Sequence, residues 1–217
     1  MKKKAPQFIY LHGFASGPNS KKAQFFKKRL KIHGYDLHIP DLNVPSFTEL
    51  SLTQMTQSVK NLIKKHQNND WIILCSSLGA MVALRVAEYE SRIKKIIMLA
   101  PAFGFCKRRE ALLGKKQLQK WETDGKISLF HHAYNKEVDI SYSFMEEMEQ
   151  TDEYTFDREM PIKIFHGAFD EIIPFEYVEK FTKNHKYSEY HLLESDHSLF
   201  NKLDWVWRDL INYIPIE

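Results

Sequence analysis

Residues 71–80 constrain the fold of this chain more than any other stretch. Their sequence, WIILCSSLGA, starts as an apolar run rich in isoleucine and ends in small residues. Residues 78–90 then have the composition of a helix. A buried strand that turns into a helix around a serine is typical of a nucleophile elbow, in which a strained turn lifts the serine hydroxyl above a sheet. The stretch therefore predicts a reactive serine at the end of a buried strand.

Two adjacent serines compete for that position. So tight a turn has room only for small side chains two residues before and after the nucleophile. Around Ser77 these neighbours are Cys75 and Gly79, whereas around Ser76 both are leucines. Ser77 is therefore the predicted nucleophile. The alternative is that one of the two serines only caps the following helix.

Composition limits the class of protein. The 217 residues are 43% hydrophobic and 27% charged, which is typical of one globular domain. The net charge of +3 is small and evenly spread, so a nucleic-acid partner is not expected. No run approaches the ~20 apolar residues of a membrane-spanning helix, and the apolar run after the N-terminal lysines is too short for a signal peptide. We expect a cytoplasmic protein without stable membrane insertion.

Predicted strands and helices alternate along the chain. Apolar runs predict strands at residues 8–11, 35–39, 71–76, 93–100, 161–166 and 187–193. Ser20 is a predicted helix N-cap, and Ser46 and Glu49 match a capping box before a second helical pattern. This order predicts a mostly parallel sheet of six to seven strands with helices on both faces.

Residues 102–158 interrupt the alternation. The segment is too long for a connection in a compact domain, so we expect a single domain over residues 1–217 with a helical lid at about 102–158. Its aromatic residues either line an acyl pocket or pin the lid to the domain. His131 and His132 have no carboxylate or cysteine at metal-binding spacing, so the prediction for both is a surface histidine.

A serine nucleophile needs a base and an acid that orients the base. In a parallel sheet these groups come from loops at the carboxyl ends of later strands. Asp170 follows one such strand, and His197 follows the last, which gives the order serine, aspartate, histidine. Asp196 and Glu171 are the competing acids, but Asp196 adjoins the histidine in sequence and Glu171 lies one residue beyond the turn position. Asp170 and His197 are the predicted acid and base.

The oxyanion of an acyl-transfer reaction also needs backbone donors. The predicted donors are the amide of Leu78, after the nucleophile, and the amide of Phe14 in the loop after the first strand, with Ala15 as the alternative to Phe14. His12 precedes these residues at the end of that strand. We expect His12 to support the loop instead of acting as a base.

Four ordered motifs carry a resemblance to the α/β-hydrolases: Leu11-His12-Gly13-Phe14, Ser76-Ser77-Leu78-Gly79, His166-Gly167-Ala168-Phe169-Asp170 and Asp196-His197. More narrowly, residues 10–23 resemble compact bacterial YqiA-like esterases. Residues 140–144 and the later His-Gly strand are similar to hydrolases of the palmitoyl-protein thioesterase group. Cys75 departs from the glycine that is usual two residues before the nucleophile.

The resemblance implies a serine hydrolase with Ser77 as nucleophile, Asp170 as acid and His197 as base. It implies small-molecule carboxylic ester or thioester substrates and no cofactor. The main expectation is a carboxylesterase. A thioesterase and a non-catalytic binding protein of the same fold are the alternatives.

Overall fold

The computed structural model describes residues 5–66, 69–151 and 156–214. Its eight strands are β1 (Gln7–Leu11), β2 (Leu37–His38), β3 (Trp71–Ser76), β4 (Ile93–Leu99), β5 (Lys126–His131), β6 (Lys136–Ser141), β7 (Ile162–Gly167) and β8 (Ser188–Leu193). Its eight α-helices are α1 (Lys21–Ile32), α2 (Leu52–Lys65), α3 (Gly79–Tyr89), α4 (Phe105–Leu113), α5 (Lys115–Asp124), α6 (Ser143–Glu149), α7 (Phe175–Asn184) and α8 (Leu203–Tyr213).

Six strands form one parallel sheet in the order β2-β1-β3-β4-β7-β8. Every side chain of the central strand β3 is buried, and so is every side chain of its neighbour β4 except those of Lys94 and Lys95, as expected for strands covered on both faces. Helices α1 and α8 pack on one face, while α2, α3 and α7 pack on the other. The predicted α/β architecture is therefore confirmed.

Local signals set where the first helices begin. The Ser20 side chain accepts a hydrogen bond from the Ala23 amide at 3.4 Å, so α1 starts at the predicted cap. The predicted cap of α2 is wrong. Ser46 accepts from the Glu49 amide in an isolated turn, and the helix begins later, where Ser51 accepts from Gln54. Glu147 also caps this helix by accepting from the Leu52 amide at 2.8 Å.

The chain between β4 and β7 contains α4, α5, the antiparallel β5–β6 hairpin and α6. A hairpin was not predicted there, because its strands are half exposed and mix charged with apolar residues. The aromatic side chains Phe103, Trp121 and Phe144 are buried. Trp121 donates its indole N–H to the Ile140 carbonyl at 3.0 Å, which fastens α5 to the hairpin. These aromatic residues pin the segment to the domain.

The strand order reverses direction between β1 and β3, because β2 lies on one side of β1 and every later strand of the sheet lies on the other. Such a point opens a crevice at the carboxyl ends of the strands, where ligands of open α/β sheets bind. The first loop (residues 12–20) and the turn after β3 meet there. No helix in the described ranges is both long and apolar enough to cross a membrane.

Candidate active site

Ser77 occupies a sharp turn between β3 and α3. Its φ of +51° lies in the left-handed region, which a residue with a side chain adopts only under constraint. A Cβ on Gly79 would lie 2.3 Å from the Leu11 carbonyl oxygen, so only glycine lets α3 approach β1 this closely. Leu78 stands at the N-cap position, and no side chain caps the helix. The capping alternative for Ser76 and Ser77 is therefore wrong.

The two residues before Ser77 point into the protein. Ser76 is 3% exposed and Cys75 is fully buried. The Cys75 thiol donates to the Ile97 carbonyl at 3.4 Å on the neighbouring strand. Burial raises the pKa of this thiol, so the group stays protonated. Cys75 is a packing residue beneath the turn, and Ser77 is the more accessible of the two serines.

His197 joins the turn to the opposite loop. Its Nε2 lies 3.1 Å from the Ser77 hydroxyl oxygen, and its Nδ1 lies 2.7 Å from Asp170 Oδ2. The carboxylate can only accept at Nδ1, so the Nδ1 proton faces Asp170 and Nε2 faces Ser77 as an acceptor. The structure thus brings together the three side chains that the sequence singled out, although they are separated by up to 120 residues.

Asp170 is held by its own loop. Its Oδ1 accepts from the amides of Ile172 and Ile173 at 3.0 and 2.8 Å, while Oδ2 faces His197. Burial raises the pKa of this carboxyl, but the hydrogen bonds from His197 and Ile173 more than offset burial, so its pKa lies below the usual value. The carboxylate is therefore charged and oriented at neutral pH.

His166 lies behind the carboxylate and was given no role from the sequence. Its Nε2 is 2.8 Å from the Ile173 carbonyl oxygen and 3.3 Å from Asp170 Oδ2, and the ring is fully buried. Burial lowers the pKa of His166, so the ring is neutral and donates from Nε2. The signal in the sequence is the i, i+4 spacing of His166 and Asp170 across the end of β7.

The competing acids are turned elsewhere. Asp196 Oδ1 accepts from the amide and the hydroxyl of Ser198, at 2.9 and 2.6 Å. Glu171 has an exposed side chain, and its backbone carbonyl accepts from Arg108. Neither carboxylate contacts the ring of His197 in the way that Asp170 does.

The first loop lies directly against Ser77. A Cβ on Gly13 would stand 3.1 Å from Ser77 Cβ. Within the described part of the chain, the amides of Phe14 and Leu78 donate to no other residue. His12 is buried, accepts the Leu42 amide at Nε2 at 2.9 Å, and approaches the Gly13 carbonyl with Nδ1 at 2.9 Å. His12 thus braces the loop, as expected.

The histidine pair in the inserted segment does not match its prediction. His132 is exposed, but His131 is completely buried, so the prediction of a surface histidine is wrong for His131. Its ring stacks on Tyr134 with 3.7 Å between ring centroids and meets the edge of Phe47. The ring is thus enclosed between Tyr134 of the hairpin and the segment after β2 that carries Asn43 and Phe47.

One group of side chains in the described ranges has the spacing of metal ligands: Glu189, His191 and Asp209. The ammonium of Lys163 lies 3.0 Å from Glu189 and 2.6 Å from Asp209, with its side chain 5% exposed. This lysine already supplies the positive charge that the carboxylates require. We interpret the group as an ion-pair network between β7, β8 and α8.

The strand order, the strained serine turn and the loops at the carboxyl ends define the class: the chain has the α/β-hydrolase fold. Within that class, the chain belongs to the uncharacterised protein family UPF0227, whose model matches residues 7–213. No curated protein matches the sequence.

Solved structures share this fold at low sequence identity. The mouse α/β-hydrolase domain-containing protein 10 is 23% identical and superposes with a TM-score of 0.78, over 98% of this chain and 92% of that one. Est1E from Butyrivibrio proteoclasticus, with ferulic acid bound, is 19% identical with a TM-score of 0.83, over 97% and 88% of the two chains. GrgF from Penicillium sp. sh18, an α/β-hydrolase, is 13% identical with a TM-score of 0.75, over 98% and 90%.

Proposed function

We propose that this protein is a serine hydrolase that cleaves carboxylic esters through an acyl-enzyme intermediate. Ser77 is the nucleophile, His197 the general base and Asp170 the acid that orients the base. The backbone amides of Phe14 and Leu78 bind the oxyanion. The observation that carries the proposal is the hydrogen-bonded series from the Ser77 hydroxyl through His197 to Asp170, with distances of 3.1 and 2.7 Å.

The reaction follows from the protonation states of these groups. His197 Nε2 takes the hydroxyl proton as Ser77 Oγ attacks the ester carbonyl carbon. The carbonyl oxygen becomes an oxyanion facing the two amides. When the carbon–oxygen bond to the alcohol breaks, His197 returns the proton to the leaving oxygen. Water, activated by the same nitrogen, then attacks the acyl-enzyme and releases the carboxylic acid and Ser77.

Asp170 acts in this scheme by remaining an anion. Its lowered pKa keeps the carboxylate charged at neutral pH. The charge stabilises the imidazolium formed during attack, and the hydrogen bond to Nδ1 holds the tautomer that leaves Nε2 free. We infer that the described part of residues 102–158 acts as a lid at this edge, an inference supported by the stacking of Phe144 on Phe14 and by the hydrogen bond from the His132 amide to the Ala15 carbonyl.

The leaving group distinguishes the main proposal from its nearest alternative. A thioesterase would use the same groups on an S-acyl substrate. Since Est1E holds ferulic acid and has the same fold, a methyl hydroxycinnamate ester belongs in the substrate panel beside short and medium p-nitrophenyl esters. Acyl-CoA and S-acyl peptides test the thioesterase alternative.

The experiment compares the purified wild-type protein with Ser77→Ala and Ser76→Ala across this panel. We expect the wild type and Ser76→Ala to turn over at least one oxygen ester. Ser77→Ala should lower kcat by about 10⁴-fold or more, as removal of a nucleophile does in serine hydrolases. Absence of turnover in the wild type together with retained ligand binding would favour a non-catalytic binding protein instead.

A further inference from the structure

The tip of the β5–β6 hairpin is joined to the first loop by its backbone. The His132 amide donates to the Ala15 carbonyl at 3.0 Å. Close by, a Cβ on Gly17 would lie 3.2 Å from the Ala133 side chain. The hairpin and the loop therefore contact each other directly beside the Phe14 amide, one of the two donors proposed for the oxyanion.

Asn43 makes a second connection between the same two elements. Its Nδ2 donates to the Ser16 carbonyl at 2.9 Å and to Asp41 Oδ1 at 2.7 Å. Both of these partners can only accept, which fixes the orientation of the amide. The Asn43 Oδ1 is then left to accept from His131 Nε2 at 3.2 Å. Asn43 is 8% exposed and His131 is fully buried.

The hydrogen bonds at Nε2 and Nδ1 of His131 determine which of the two nitrogens carries the ring proton. Because Asn43 Oδ1 can only accept, the ring proton is on Nε2. The Tyr134 amide, shared between the His131 carbonyl at 3.1 Å and Nδ1 at 3.2 Å, agrees with an unprotonated Nδ1. Stacking on Tyr134 and the edge contact with Phe47 hold the plane of the ring. His131 of the hairpin therefore donates to Asn43, and Asn43 donates to the Ser16 carbonyl of the first loop.

The first loop needs such support because its conformation is unfavourable in isolation. Ala15 has a φ of +50°, in the left-handed region, which is unfavourable for a residue with a Cβ. The loop is held through the carbonyls of Ala15 and Ser16, the two residues that follow Phe14 in the chain. Displacement by about 1 Å in an active site can lower the rate by about 100-fold.

We propose that His131 and Asn43 are positioning residues that hold the first loop so that the Phe14 amide faces the oxyanion. Neither side chain contacts the reacting atoms. The inference rests on the proposed hydrolase function, and it assigns to the hairpin an effect on transition-state binding that is exerted through the first loop. Because the oxyanion exists only in the tetrahedral state, loss of this support lowers kcat and leaves KM nearly unchanged.

The test uses His131→Phe, which keeps a buried aromatic ring but removes the donor to Asn43, and Asn43→Ala, which removes the bridge. We expect kcat on the best ester to fall by about 10- to 100-fold, with KM within about twofold. Affinity for a trifluoromethyl ketone, whose carbonyl oxygen becomes an oxyanion when Ser77 Oγ adds to the carbonyl carbon, should fall by the same factor. His131→Gln, which keeps a side-chain donor, should recover part of the loss.

His132→Phe is the matched control, because the His132 side chain is exposed and only its backbone meets the loop. This variant should keep wild-type kcat and inhibitor affinity. Unchanged kcat in a folded His131→Phe protein would overturn the inference. The inference would also be overturned if the fall in kcat of His131→Phe were fully explained by an equal fall in its folded fraction, measured by circular dichroism. If His131→Phe does not fold, Asn43→Ser decides by the same criteria. These outcomes differ from a failure of the proposed hydrolase function, in which the wild-type protein itself would be inactive.

Discussion

Asp170 and His197 are the two residues whose contact organises the candidate site, with 2.7 Å between Oδ2 and Nδ1. The contact spans two loops at the carboxyl ends of neighbouring strands β7 and β8. Because Asp170 is also fixed by the amides of Ile172 and Ile173, the carboxylate is rigid before any substrate binds. A rigid acid fixes the ring of His197, and the ring in turn fixes which nitrogen faces Ser77.

Asp170→Asn tests that contact. The amide can present its NH₂ group to Nδ1, which would move the ring proton to Nε2 and remove the acceptor for Ser77. We expect kcat to fall by about 10⁴-fold at pH 7, with the fold retained. Asp196→Asn and Glu171→Gln are matched controls and should keep kcat within about threefold. If Asp196→Asn lost activity to this extent while Asp170→Asn stayed active, the acid would be Asp196 and not Asp170.

Cys75→Gly tests whether the departure from glycine before the nucleophile affects the chemistry. The thiol is buried and directed at the Ile97 carbonyl, away from the reacting groups. We expect kcat to remain within about threefold of the wild type. The free energy of unfolding, measured in urea, should fall by about 1–2 kcal/mol, because the variant leaves a small cavity and adds a flexible glycine. Loss of turnover in a folded variant would contradict this description of the turn.

The lowered pKa of His166 leads to a prediction for how the free energy of unfolding depends on pH. Its pKa is lowered by burial, so the unfolded chain binds the proton more tightly, and the free energy of unfolding falls as the pH drops below about 6.5. One such group contributes a slope of at most about 1.4 kcal/mol per pH unit. The loss of stability from pH 7.5 to 5.0, measured in urea, should therefore be smaller in His166→Gln than in the wild type.

His132→Gln is the control for this pH effect, since its side chain is exposed and should leave the wild-type slope unchanged. The other buried histidine with a lowered pKa, His131, accounts for part of the slope that persists in His166→Gln. Equal losses of stability in the wild type and in His166→Gln would show that His166 is not neutral in the folded protein.

Much of the site followed from sequence because a parallel sheet gathers the carboxyl ends of its strands. The small neighbours of Ser77 favoured it over Ser76, whose corresponding neighbours are leucines, and the order of strands placed Asp170 and His197 on adjacent loops. These relationships depend on strand order and side-chain size, which the sequence carries directly. The resemblance to α/β-hydrolases agreed with them, and the fold is confirmed.

What the sequence did not reveal depends on contacts between distant segments. His131 is buried because the β5–β6 hairpin packs its ring against Phe47 and Asn43, which lie about 85 residues earlier in the chain, and neither the hairpin nor this packing has a local signal. The capping box at Ser46 is a genuine local hydrogen bond, yet the helix starts at Ser51, where Glu147 from α6 also caps the first turn. In both cases, contacts with residues distant in the sequence determined the local structure.

Covalent labelling tests the central claim most directly. A fluorophosphonate probe added to the purified protein should phosphonylate Ser77 Oγ, and peptide mass spectrometry should place the adduct on that residue alone. Ser77→Ala should abolish the adduct, and His197→Ala should slow its formation by several orders of magnitude, because the serine then lacks its base. No adduct on the folded wild type, or an adduct that persists in Ser77→Ala, would contradict the account.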